Sequence, residues 1–109
     1  MAINKETEQQ IQSLQLFEQN LQSIIMQKQS FQMELTEIEN ALNELSKTKD
    51  DVFKIVGNIM IKSQKQPLLE DLNQKRDLLN LRLKTISSQE KELTTRVENL
   101  RKEVFSKIQ

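Results

Sequence analysis

Apolar residues recur every three to four positions through the first 47 residues, and no Gly or Pro interrupts them. Setting heptad position a at 14, 21, 28, 35 and 42 places Leu14, Leu21, Lys28, Leu35 and Leu42 there. Position d then holds Phe17, Ile24, Phe31, Ile38 and Leu45. Nine of these ten sites are apolar, which marks a narrow coiled-coil seam rather than the wider stripe of a globular helix. The pattern returns after residue 66. Position a reads Leu69, Arg76, Leu83, Glu90, Val97 and Val104; position d reads Leu72, Leu79, Ile86, Leu93, Leu100 and Lys107. Pro67 suits a first helical turn, where its missing N–H costs nothing, and Glu70 and Asp71 follow it near the positive end of the helix dipole. The pattern predicts helices over about 5–48 and 67–108, each on the order of 60 Å long.

Between them the period changes. The stretch "DDVFKIVGNIMIK" (Asp50–Lys62) holds seven large apolar residues around Gly57, the only glycine of the chain. Two β-rich runs flank a Gly-Asn turn signal, which predicts a β-hairpin over 51–63. A two-residue turn sets Val56 opposite Ile59 and Lys54 opposite Ile61; a three-residue loop shifts that register. In the two-residue register both faces are largely apolar. A lone hairpin is barely stable in water and has two open edges. Val52, Phe53, Ile55, Val56, Gly57, Ile59, Met60 and Ile61 are therefore candidate oligomerisation residues, with closure of several hairpins into a barrel as the expected outcome. If the hairpin only capped the coiled coil of a monomer or dimer, much of this apolar surface would stay in water.

Each helix buries a stripe too narrow for a core of its own, so each needs the other. An antiparallel coiled-coil hairpin pairs Leu45 with Leu69, Leu42 with Leu72, Leu35 with Leu79, Leu21 with Leu93 and Leu14 with Leu100. It sets Lys28 opposite Ile86, one turn from Glu90, which stands opposite Ile24. Lys28 and Glu90 are thus candidates for a register-setting ion pair; the alternative is that both side chains reach out to water.

Charge sharpens this picture. The chain is neutral overall, yet residues 1–50 carry four lysines against eight acidic residues, and residues 51–109 carry twelve basic against eight acidic. Oppositely charged halves favour the fold-back. Nucleic-acid binding calls for a basic excess, which is missing. No apolar run approaches the length of a membrane span, and the start of the chain has no secretory apolar region. There is no Cys to frame disulfides. No His or Cys, no Gly-rich phosphate loop and no convergent carboxylates point to an enzyme, a cofactor or a metal. The composition fits a cytoplasmic protein.

The linker "DDVFKIVGNIMIK" resembles that of the prefoldin β subunits, with its acidic pair, an aromatic residue before lysine, Val-Gly, and an aliphatic residue two further on. "LNLRLKTISSQEKELTTRVENL" (Leu79–Leu100) is similar to their second helix, including Leu-x-x-Arg-Leu and Gln-Glu, and "LQSIIMQKQSFQMEL" (Leu21–Leu35) to their Gln-rich first helix. The resemblance spans nearly the whole chain, read as one prefoldin β-type domain over 1–109. It departs at Phe53, where archaeal members usually carry Tyr, and at Pro67. The resemblance implies a hetero-hexamer of two α and four β subunits, with hairpins in a double barrel and six coiled coils hanging from it. It further implies an ATP-independent holdase that captures unfolded client proteins and passes them to a group II chaperonin.

The residues offer a mechanism beside the resemblance. Toward the free helix ends the apolar residues leave the strict seam. Ile3, Ile11, Leu14, Leu16 and Phe17 crowd one terminus, and Val104, Phe105 and Ile108 the other. A frayed tip exposing them would bind clients by non-directional apolar contact; otherwise they simply close the last heptads. Met26 and Met33, on the outer face at f, suit promiscuous binding or serve only as helix formers. The rival function is a structural adaptor coiled coil with one fixed partner.

Overall fold

The computed structural model describes residues 4–108. Two long helices bracket a β-hairpin: α1 (Lys5–Lys47), β1 (Val52–Val56), β2 (Ile59–Ser63) and α2 (Lys65–Ile108). The chain divides into two compact units, one made of Met1–Gln29 with Lys84–Gln109, the other of Ser30–Leu83. They are called unit 1 and unit 2 below, and each is an antiparallel helix pair in its own right.

In unit 1 the heptad seam is realised. Ile86, Val97 and Val104 are buried, and Leu14, Phe17, Leu21, Ile24, Leu93 and Leu100 are half-buried. Among the described residues no side chain is completely enclosed, as expected when only one partner helix covers each seam residue. The start of α1 is capped by Asn4, whose Oδ1 accepts from the Thr7 N–H at 2.8 Å. This is the Asn-to-third-turn-residue bond that satisfies one of the orphan amides of a helix start. Thr7, a further a site, is buried beside it. Side chains also tie the two helices across the seam. Lys107, at a d site, donates to Gln10 Oε1 at 2.9 Å and lies 3.7 Å from Glu6 Oε1. Arg101 Nη2 donates to Glu18 Oε1 at 2.8 Å. These pairs join an acidic first helix to a basic second one, as the charge asymmetry predicts.

In unit 2 Leu45, Leu79 and Val52 are buried, and Phe31, Leu35, Ile38, Leu42, Leu69, Leu72 and Leu83 are half-buried. The last carbonyls of α1 find partners locally. Thr48 N–H donates to Leu45 O, and Thr48 Oγ1 donates to Glu44 O. Lys65 Nζ reaches back from the first turn of α2 to Thr48 O at 3.0 Å, a cation placed at the negative end of α1. The second helix begins at Lys65, two residues before the predicted Pro67. Pro67 is then the third helical residue, still within the turn whose N–H groups have no intrahelical partner, so it costs nothing there. Glu70 and Asp71 lie in the second turn; the first turn has no acidic residue.

The hairpin adopts the two-residue register: Val52 opposite Ser63, Phe53 opposite Lys62, Lys54 opposite Ile61, Ile55 opposite Met60 and Val56 opposite Ile59. Gly57 has φ of 61°, and no other described residue has positive φ. A positive φ at the first central residue alone is the signature of a type II′ turn, which matches the twist of the flanking strands. A Cβ at Gly57 would meet nothing within 4 Å, so the requirement is conformational rather than steric. Gly57→Ala should therefore destabilise the hairpin by about 1–2 kcal/mol. Gly57→Asn should cost a similar amount, since Asn tolerates the left-handed α region but not the mirror-β conformation of this turn position. Thermal melts of the assembled protein check both; a midpoint equal to the parent's in either variant would contradict the turn assignment.

Candidate functional site

Two surfaces hold the candidate residues, one in each unit. In unit 2 the strands present their side chains on both faces. Val52, Lys54, Val56, Ile59 and Ile61 share one face by the observed pairing; Phe53, Ile55, Met60 and Lys62 share the other. Of the apolar members all but Val52 are exposed, from Ile61 at 48% to Ile55 at 69%. Val52 is only 9% exposed. It starts β1 five residues after α1 ends and packs within its own chain, so it is withdrawn from the surface on which it was expected. Lys62 and Asp51 form an exposed ion pair at 3.5 Å, which adds little stability.

Unit 1 carries the residues expected to touch clients. Leu16, Phe105 and Ile108 are exposed, at heptad sites c, b and e, where neither helix covers them. Ile11, Leu14 and Phe17 are half-buried. Val104 is only 5% exposed; at an a site it is a seam residue, and the partner helix occupies the face it was expected to offer. Ile3 lies outside the described residues. Met26 in unit 1 and Met33 in unit 2 are both exposed.

Lys28 and Glu90 meet across the seam of unit 1, Nζ to Oε1, at 3.0 Å. Both side chains are 27% exposed, so the pair is shielded on one side by the seam and open to water on the other.

Two features had no counterpart in the reading of the sequence. A shallow groove of roughly 540 Å³ runs along unit 1, lined by Leu21, Ile25 and Val97, by the amides of Gln15, Gln19 and Gln22, and by the Glu18–Arg101 pair. Ile25 at e was its only apolar signal outside the seam. In unit 2, Leu78 and Leu81 are exposed on α2, three residues apart and so on one face. Among the described residues no three His, Cys, Asp or Glu side chains converge as a metal site would require, and no helix is long and apolar enough to cross a membrane.

The comparisons agree with this architecture. The family model described as "Prefoldin subunit" matches residues 8–109. The chain is 37% identical over 97 residues to a protein named prefoldin subunit beta from Methanothrix thermoacetophila, covering 87% of this chain and 81% of that one. It is 37% identical over 90 residues to the protein of the same name from Pyrobaculum islandicum, covering 81% and 72%. Among solved structures, the crystal structure of the prefoldin beta subunit from Thermococcus strain KS-1 superposes with a TM-score of 0.85 at 31% identity, over 96% of this chain and 94% of that one. Two heptad helices around an apolar, exposed β-hairpin, matched in sequence and in fold along nearly their whole length, place this chain in the prefoldin family, among its β subunits.

Proposed function

We propose that the chain is a subunit of an ATP-independent chaperone that holds unfolded polypeptides and releases them to a group II chaperonin in the cytoplasm. In this reading the hairpin joins the chain to an α subunit and to further β copies, two α and four β in all, through a closed β-barrel. The exposed apolar residues of unit 1 take up the client. No catalytic group is needed, because apolar contact is non-directional and carries no sequence requirement.

One observation supports the reading above others: Leu16, Phe105 and Ile108 stand in water on a unit whose seam is otherwise closed. An adaptor with one fixed partner would more economically present a continuous stripe. The test is light scattering of a denatured model client, without ATP, in the presence of this chain assembled with its α subunit. Aggregation should be suppressed at stoichiometric ratios. If a large complex forms and aggregation runs unchanged, the adaptor reading replaces this one.

A further inference from the structure

We infer that Lys28 and Glu90 are positioning residues, whose ion pair sets the register of α1 against α2 in unit 1. The pair joins two a sites at 3.0 Å. Its seam neighbours in unit 1 are apolar: Leu21 and Ile24 on α1, Ile86 and Val97 on α2. An apolar heptad seam is degenerate by construction. Sliding one helix by seven residues, about 10 Å, again faces apolar sites with apolar sites. Leucine and isoleucine do not resist that slide, but the ion pair does. In one sense it sets Lys28 beside Val97; in the other it sets Glu90 beside Leu21. Either way a charge is left without its partner at a site partly shut off from water, which costs more than the intact pair contributes. A polar residue at an a site that specifies register at some expense in stability is a recognised use of such positions.

The register decides what stands together on the flank of unit 1. Glu18 and Arg101, both at e, meet at 2.8 Å. One heptad along, Ile11 and Ile108 hold the same relation. After a slip, Ile11 would lie beside Arg101 or Ile108 beside Glu18, and the apolar pair would be lost. This consequence rests on the capture role proposed above; the register itself does not.

The chain has no cysteine, so Gln9→Cys and Lys91→Cys, both at exposed positions of unit 1, accept a spin-label pair. The labelled full chain is diluted with unlabelled chain in the assembled protein, and the distance is read by pulsed dipolar spectroscopy. The parent should give one distance, and K28E/E90K, which reverses the pair, should give the same one. K28L/E90L should melt no lower than the parent yet show a second population, displaced by an axial slip on the order of 10 Å. A single, unshifted distance in K28L/E90L overturns the inference, because the connection through residues 48–64 would then set the register unaided. Two distances in K28E/E90K overturn it as well. Client holding is read separately: a slipped K28L/E90L that still suppresses aggregation as the parent does rejects the link to capture while the register result stands.

Discussion

Ile59→Asp combined with Ile61→Asp is expected to abolish assembly and leave the chain's own helices intact. Both residues point to the same face of the hairpin, and in the single chain they are 64% and 48% exposed. Aspartate at either site is therefore solvated in the free chain and costs the helix pairs nothing. In a subunit interface the same carboxylates would be buried with Lys54, opposite Ile61, as the one cation of this hairpin on that face, so one of them stays unpaired at a cost of several kcal/mol. That penalty, repeated in every copy and added to the loss of both apolar side chains, exceeds what a modest interface can offset, so native mass spectrometry with the α partner should find free chain. Far-ultraviolet circular dichroism should be unchanged. A complex of parental mass in this variant would exclude the hairpin as the assembly element. Val52→Asp is the informative contrast. Val52 is buried within its own chain, so that change should lower the melting temperature of the chain itself.

The second large effect is expected from Leu16→Gln, Phe105→Gln and Ile108→Gln together. All three side chains are exposed, Phe105 at 58%, and none belongs to the seam. Assembly and melting temperature should be retained. Burying each against a client contributes about 1.5–3 kcal/mol, so losing all three should weaken capture by at least roughly a hundredfold, and suppression of aggregation should vanish at stoichiometric ratios. Unaltered suppression would show that the client binds elsewhere, with the groove along Leu21, Ile25 and Val97 as the next surface to alter. Point substitution is cleaner than removing residues 104–109. Val104 is a seam residue, and its loss would loosen unit 1 and mimic a binding defect.

Much of this architecture is legible along the chain because its rules are local. A seam is a 3.5-residue period, and every predicted a and d site from 14 to 104 is buried or half-buried; only Lys107 is exposed. That lysine has a physical account, since it leaves the seam to bind Gln10 and approach Glu6. The hairpin announced itself through β-branched residues around Gly57-Asn58, and the observed register is the one a two-residue turn requires. The start of α2 was less legible. Lys65 and Gln66 carry no cap signal, and the interaction that holds Lys65, with Thr48 O, spans the whole hairpin.

Exposure was the least legible property. Val52 reads like its neighbours Ile55 and Val56 in sequence, and only the heptad position, a against b, separates Val104 from Phe105. Yet Val52 and Val104 are buried while Ile55, Val56 and Phe105 lie in water. Leu78 and Leu81 gave no sign, and the groove gave only Ile25, because an apolar residue outside the seam has no periodic partner to betray its surroundings.

The sequence by itself determined the two helices, the β-hairpin between them, the antiparallel pairing of seam with seam and the opposite charges of the two halves. Each follows from periodicity, turn chemistry or composition, which act over a few residues or sum over many. Only the tertiary structure decided that Lys28 and Glu90 meet and that Val52 turns inward. The first depends on the axial offset of two helix segments distant in sequence, which a heptad repeat leaves open to shifts of seven residues; the second depends on how the strand leaves the helix pair, which no periodicity records.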